Sequence, residues 1–472
     1  MYRLISKPSE RLYVSWALSD SEGQDCKPSS LVDTLRSALP QLKLHKDVVS
    51  NGLEMSVVNN PKTAMRHLLN YLKGRRSQEQ ISDAGQVKMI TDSIISWYKC
   101  NNPQVLGIAM KAAREDNAAE PISARMAGRL FAGSNGEFSF SPTRIENFNH
   151  CPFKHFVSYG LRPREEREFR GSSREIGDIY HECIMRVSEE LEAENLWGTI
   201  SEAEINRLVQ EKLKEIAADY RDGLFVADGR EQYRLDRVAR VCARVADNLA
   251  EQMRQGKVEK SYFEEEFRRG RIFDPIELTI DNHKVFIEGK IDRVDVFEGG
   301  DMRVIDYKTG GDKVNIEQMR CGYKMQLMVY MQGAKSDDRR PAGVFYYNIK
   351  DLSVQMGNDG DVADTVSNEM NKGMALNGLC VDEAHILDEM PESMLGVKKF
   401  IISRATFESI EADVSRSIYD ISKRIISGDV SISPTKTKAA ADIKGECKYC
   451  KYNSICRFDI TYKGNRYREV DG

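Results

Sequence analysis

The chain has 472 residues, 41% of them apolar and 30% charged, a composition that fits a globular protein with room for two or three domains. No stretch approaches the ~20 apolar residues needed to span a bilayer. The start, Met1-Tyr2-Arg3-Leu4, lacks the apolar core of a signal peptide, so a cytoplasmic location is expected. A net charge of −4 is not the footprint of a protein that coats nucleic acid non-specifically. Any contact with DNA must come from local basic surface or from metal ions.

Residues 1–133 read as mostly helical, opening with a short apolar strand at 12–16. A looser stretch at 112–136, rich in Ala, Gly, Asn and Asp, sets the expected boundary between a first region, 1–133, and a second, 134–472. Gly256-Lys257 and Gly289-Lys290 lack the preceding glycine and following hydroxyl of a P-loop, so no ATP-binding motor is expected by this signature. Ser141-Pro142-Thr143 starts a helix, with Ser141 as N-cap and Pro142 in the first helical position. Residues 174–195 form a helix with Ile176, Ile179, Tyr180, Cys183, Ile184, Val187 and Leu191 on its apolar stripe. A long charged helical stretch covers 201–255. Strands follow at 262–267, 276–280, 285–297 and 302–307, and Gly299-Gly300 turns the last two into a hairpin. A helix near 323–331, a strand at 343–349 and a helix at 404–427 lead to a terminal cysteine cluster. Strands flanked by helices on both sides imply a mixed α/β core.

The sharpest chemical signal is Asp292 followed by Asp306-Tyr307-Lys308. Asp306 and Lys308 are two apart on a strand, so both point to one face. With Glu298-Gly299-Gly300 as the loop, the hairpin places Asp292 opposite Asp306, Cβ atoms ~5 Å apart. Two carboxylates so close repel, and burial would force one pKa upward unless a cation intervenes. Mg²⁺ suits two carboxylates plus a substrate phosphate, and Lys308 can orient or help deprotonate an attacking water. The bland alternative is a surface hairpin with ion pairs Asp292–Arg293 and Asp306–Lys308. Against it, Val294, Val304 and Ile305 make the strand pair apolar, a poor place for idle carboxylates. Spacing alone leaves both open.

Gly289-x-x-Asp292-Arg293 followed by Asp306-Tyr307-Lys308-Thr309-Gly310 resembles the core of the PD-(D/E)XK nucleases, in their RecB-like branch. Three outlying pieces are similar to that family in the same order. They are Gly177-x-x-x-His181, Glu264 within Glu264-Glu265-Glu266-Phe267, and Gln326-x-x-x-Tyr330. The resemblance implies a restriction-endonuclease-like mixed sheet flanked by helices. It implies Mg²⁺ held by His181, Glu264, Asp292, Asp306 and Tyr307, with Asp292, Asp306, Lys308, Gln326 and Tyr330 in catalysis. The i, i+4 spacing puts Gln326 and Tyr330 on one helix face, able to meet substrate or Lys308.

Ten cysteines in a cytosolic chain argue against a disulfide framework. Cys26, Cys100, Cys183, Cys242, Cys321 and Cys380 stand singly and read as small buried hydrophobes. Cys447-x2-Cys450-x5-Cys456 offers three ligands, and no Cys or His follows to complete a local site; zinc is the default reading for such a cluster. The segment Ser141-Pro142-Thr143-Arg144-Ile145-Glu146-Asn147-Phe148-Asn149-His150-Cys151-Pro152-Phe153, with Tyr159-Gly160-Leu161 after it, resembles the start of the nuclease domain in the AddB family of helicase–nuclease subunits. That resemblance implies Cys151 as the fourth ligand and a [4Fe–4S] cluster, although four thiolates also suit zinc. Such a centre would close a loop of roughly 300 residues, and fixing so long a loop stabilises the fold. Phosphodiester hydrolysis needs no electron, so a structural staple is expected rather than a redox centre.

Ser9-Glu10-Arg11-Leu12-Tyr13-Val14-Ser15-Trp16, Gly23 and Pro28-Ser29-Ser30-Leu31 resemble the end of the helicase-like region of the same family. The implied organisation is a helicase-like remnant at 1–133 and a nuclease domain at 134–472, the C-terminal part of such a subunit. The implied partners are DNA, single-stranded at the nuclease site, and an AddA-type subunit. The implied role is processing of double-strand breaks for recombination, with the strand running 5′ to 3′ cut here. Two other readings compete. A stand-alone RecB-like exonuclease of the CRISPR-adaptation kind is disfavoured by residues 1–133. A catalytically idle DNA-binding scaffold has no use for two opposed carboxylates.

Overall fold

The computed structural model describes residues 6–17, 26–42, 60–74, 84–114, 117–164, 173–220, 229–255, 257–310, 313–349, 351, 373–390, 394–396, 400–437, 445–460 and 465–470. Two compact units divide the chain: Met1–Ala118 with Ala439–Tyr467, and Ala119–Lys438 with Arg468–Gly472. The division precedes the boundary expected at 133 because Ala127 and Phe131 are buried in the core of the larger unit. Residues 439–467 fall with the smaller unit, where the Asn117 side-chain amide donates to the Cys456 carbonyl at 3.0 Å.

The smaller unit contains α1 (Ser30–Ala38), α2 (Pro61–Gly74), α3 (Ala84–Asn101) and α4 (Pro103–Arg114). Asn60 and Asn102 cap α2 and α4 by accepting the N–H of Thr63 and of Val105. Met65, Leu68, Ile94, Tyr98, Leu106 and Ala109 form a small core among α2–α4. The strand expected at 12–16 does not form: these residues run without regular structure, and no described strand pairs with them. A short apolar stretch needs such a partner to become a strand.

The larger unit continues with α5 (Ala124–Phe131), β1 (Phe138–Phe140), α6 (Pro142–His150), α7 (Ser173–Ala193), α8 (Glu202–Asp219) and α9 (Gly229–Gln255). Strands β2 (Val258–Phe267), β3 (Ile276–Ile280), β4 (His283–Ile287), β5 (Gly289–Phe297) and β6 (Asp301–Lys308) come next. Then follow α10 (Gln326–Ala334), β7 (Arg340–Asn348), β8 (Asn377–Val381), β9 (Phe400–Ile402), α11 (Arg404–Ser427), β10 (Thr435–Thr437) and β11 (Arg468–Val470). Ser141 caps α6 as expected, its hydroxyl accepting the Arg144 N–H, with Pro142 in the first turn. The stripe on α7 is buried at Ile179, Cys183, Ile184, Val187 and Leu191. The stretch expected as one helical run at 201–255 is two helices, α8 starting at a Ser201–Glu204 capping box.

A six-stranded sheet runs β2-β5-β6-β7-β8-β9, with β6/β7 and β8/β9 parallel and the other pairs antiparallel. The β5–β6 hairpin pairs Val294 with Val304, Asp295 with Arg303 and Val296 with Met302. Its loop carries Gly299 and Gly300 at φ +93° and +85°, left-handed values that favour glycine. The strand expected at 285–297 is two strands in two sheets: β4 joins β1 and β3, and β5 joins the large sheet. The break falls at Glu288, whose N–H donates to the Phe140 carbonyl at 3.0 Å, and Gly289 then opens β5 opposite Phe267, where a Cβ would come within 2.7 Å of the ring.

Alternation along β5 and β6 sends successive residues into different layers. Arg293, Asp295 and Arg303 share one buried face, Arg293 Nη2 lying 3.2 Å from the Met253 sulfur of α9 and Arg303 Nη1 2.9 Å from the Met394 sulfur. Lys308 faces α10, and α11 packs behind it through Gln332 to Ser415 at 2.9 Å. Among the described residues no helix is long and apolar enough to cross a membrane. Of the single cysteines, Cys183, Cys242 and Cys380 are buried and Cys26 is half-buried. Cys100 and Cys321 are exposed instead of buried, because one ends α3 and the other follows the short helix Ile316–Arg320.

Candidate active site

The hairpin ladder ends at Arg293 and Ile305. One residue further the strands carry Asp292 and Asp306, and Asp292 Oδ2 accepts the Tyr307 N–H at 2.7 Å. A carboxylate thus takes a backbone donor where the ladder stops. Helix α7 brings in His181, its Nδ1 3.5 Å from Asp292 Oδ2 and 3.6 Å from Glu264 Oε1. Strand β2 brings Glu264, flanked by the pairs Phe263–Arg293 and Glu265–Ile291 and therefore opposite Asp292. Glu264 has φ +51°, a conformation that costs a non-glycine residue roughly 1–2 kcal/mol and that gathers at functional sites. Of the three consecutive glutamates, Glu264 reaches the cleft, whereas Glu266 is tied to Arg268 and Arg271. The ligand atoms of His181, Glu264 and Asp292 all lie within 4.8 Å of one another.

Asp306 lies beside them in the same cleft, of about 500 Å³, its Oδ2 2.6 Å from Lys308 Nζ. Lys308 also donates to Gln326 Oε1 at 3.0 Å, and Gln326 Nε2 donates to the Tyr330 hydroxyl at 2.6 Å. The pair Gln326–Tyr330 does share a helix face, but only Gln326 lines the cleft; Tyr330 is buried, its ring 5.9 Å from that of Phe267. The Tyr307 side chain lies with Arg293 and Tyr347 on the other side of the sheet, so only its main chain reaches Asp292. Of the ion pairs weighed in the alternative reading, Lys308 does meet Asp306, but Arg293 turns to Asp295 at 2.7 Å instead of to Asp292. Lys290 went unrecognised in the sequence, yet its Nζ is 2.7 Å from Glu264 Oε2. Its i, i+2 spacing from Asp292 was the available signal.

Burial, reinforced by Asp306, pushes the Asp292 carboxyl up to about 8. Burial alone would lower His181, but hydrogen bonding to Glu264 and the charge of Asp292 outweigh it and raise its pKa. Burial would raise Glu264, yet His181 and Lys290 hold it below the usual carboxylate range. An imidazole nitrogen and carboxylate oxygens, converging where burial and then a neighbouring acid raise one carboxyl, form a donor set that fits a divalent cation.

Cys151 lies in the larger unit, between α6 and the turn at Pro152. Cys447 belongs to the 3₁₀ turn Gly445–Tyr449, Cys450 follows it, and Cys456 ends the short helix Asn453–Cys456, all in the smaller unit. All four thiols are half-buried and none of the ten cysteines is in a disulfide. Among the described residues, Cys447, Cys450 and Cys456 are not gathered as closely as the acidic group is.

The chain is similar over its whole length to AddB proteins, named for their place as one subunit of an ATP-dependent helicase/deoxyribonuclease. The relative from Alkaliphilus metalliredigens (strain QYMF) is 26% identical over 502 residues, covering 100% of this chain and 42% of its own. One from Thermoanaerobacter sp. (strain X514) is 26% identical over 503 residues, covering 99% and 42%. One from Clostridium acetobutylicum is 24% identical over 515 residues, covering 100% and 42%. The chain therefore spans about two-fifths of the length of these curated relatives. A family model described as the PD-(D/E)XK nuclease superfamily matches residues 139–457. That span takes in the helix carrying His181, the hairpin carrying Asp292 and Asp306, and the helix carrying Gln326, and the chain belongs to the PD-(D/E)XK nuclease superfamily.

Proposed function

We propose that the chain is the Mg²⁺-dependent exonuclease module of an AddAB-type helicase–nuclease, working in the cytoplasm on the ends of broken DNA during recombinational repair. The observation that carries this reading is the meeting of Asp292 and Asp306 at the open end of the hairpin, with His181 and Glu264 on one side and Lys308 on the other. In this reading His181, Glu264, Asp292, Asp306 and the main chain at Tyr307 hold Mg²⁺. The ion would polarise the scissile phosphate and lower the pKa of the attacking water. Lys308, fixed between Asp306 and Gln326, orients that water or takes part in its deprotonation. Tyr330 supports Gln326 from behind. Single-stranded DNA is the substrate at this site, and an AddA-type subunit is the partner implied by the relatives' name as subunits of a helicase/deoxyribonuclease.

Cys151, Cys447, Cys450 and Cys456 would hold a [4Fe–4S] cluster. Four thiols with accessible surface and no disulfide fit a thiolate-bound centre, in contrast to the buried Cys183, Cys242 and Cys380. Its proposed role is a structural staple.

The purified chain, incubated with labelled single-stranded DNA, Mg²⁺ and no ATP, should degrade the strand, and EDTA should stop it. Tight DNA binding without any cleavage would support the scaffold reading instead.

A further inference from the structure

Helix α6 does more than lead to Cys151. Glu146, Asn149 and His150 are spaced i, i+3, i+4 and present one face to the segment that starts α10. Asn149 Nδ2 donates to the carbonyls of Cys321 and Gly322 at 3.0 and 2.7 Å, and the His150 ring lies 4.4 Å from that of Tyr323. Glu146 Oε1 accepts two main-chain donors, Met325 N–H at 2.7 Å and Gln326 N–H at 2.9 Å.

Those two bonds fall where α10 has a need of its own. Its N-cap residue, Met325, supplies no side-chain cap, and the following residues Leu327 to Met331 are buried. The first N–H groups of a helix have no partner within it, and a buried start left uncapped is unstable. Glu146 supplies the missing acceptor from 179 residues away, and burial pushes its carboxyl up to about 7 against those two bonds. The residue so capped is Gln326, whose side chain holds Lys308 beside Asp306.

We propose that Glu146 is a positioning residue of the hydrolytic site, fixing the start of α10 so that Gln326 keeps Lys308 in register with Asp306. The proposal rests on the nuclease reading of that site. It makes α6 the link between the segment ending at Cys151 and the lysine that acts on water, through main-chain hydrogen bonds that any local sequence pattern would hide.

The test compares the full chain with Glu146→Ala, Glu146→Gln, Gln326→Ala and the double variant Glu146→Ala/Gln326→Ala. Glu146→Ala should lower kcat on single-stranded DNA by up to about 10²-fold with little change in KM. Amide exchange should speed up in the peptide spanning 325–330 and not elsewhere. Glu146→Gln, whose carbonyl oxygen can still accept both N–H groups, should recover most of both effects. The double variant should be no slower than Gln326→Ala, because Glu146 acts through that residue. An unchanged kcat in Glu146→Ala, or losses that multiply in the double variant, would overturn the proposal. A fall in melting temperature that Glu146→Gln does not repair would likewise reduce Glu146 to a structural role. A wild-type chain that never cuts DNA, with exchange at 325–330 still sensitive to Glu146, would instead refute the nuclease reading and leave the cap standing.

Discussion

Asp292 and Asp306 stand one position beyond Arg293 and Ile305, the last paired residues of their hairpin, and the Tyr307 N–H binds Asp292 where the ladder ends. The arrangement concentrates negative charge, and Asp292 is raised to about 8 by burial and by Asp306. A carboxyl whose folded pKa is raised contributes stability that is fully present below its unfolded value, near 3.9. That stability is lost as pH rises through the folded value. In EDTA, the difference in unfolding free energy between wild type and Asp292→Asn should therefore widen from pH 4 to pH 8, in favour of the variant, to about 0.5–2 kcal/mol. Mg²⁺ should narrow the gap by stabilising only the wild type. A difference that stays flat across this range would show that Asp292 ionises freely.

Beneath the other face of the sheet, Asp295 bridges Arg293 and Arg303 at 2.7 Å each, all three fully buried. Ser261 adds a hydrogen bond to Asp295 at 2.8 Å. The two guanidiniums outweigh burial and hold Asp295 below the usual carboxylate range. Asp295→Ala would leave two buried cations without their shared partner, a loss of roughly 3–5 kcal/mol. Urea denaturation should show it, with nuclease activity falling only as the protein unfolds. A loss of activity at full stability would place Asp295 in the chemistry instead.

The cysteine proposal has its own signature. Cys450→Ala should lose iron and the visible absorbance of the cluster, with melting temperature and activity falling together. Zinc in the wild-type protein would refute the iron–sulfur assignment while leaving the staple intact. Lost activity at an unchanged melting temperature would refute the staple.

How much of this was legible depended on the range of the interactions. The hairpin register followed from Gly299-Gly300 and from alternation, both local, so the opposition of Asp292 and Asp306 could be read in the sequence. Glu264 could not be separated from Glu265 and Glu266, because what singles it out is its place opposite Asp292 and its positive φ. Arg293, Asp295 and Arg303 look like ordinary surface charges until Met253 and Met394 close over that face of the sheet. The split of 285–297 between two sheets was hidden because the strand that claims β4, at Phe138–Phe140, lies far back in the chain. The capping role of Glu146 was hidden, since its partners are 179 and 180 residues away.

Whether Asp292 and Asp306 form a hydrolytic metal site is tested most directly by one measurement. Wild type and Asp306→Ala are assayed side by side on labelled single-stranded DNA with Mg²⁺ and without ATP, with melting temperature recorded for both. The wild type should cut the strand, while Asp306→Ala should be slower by about 10²–10³-fold or more at an unchanged or higher melting temperature. Cleavage by Asp306→Ala at the wild-type rate would contradict the assignment.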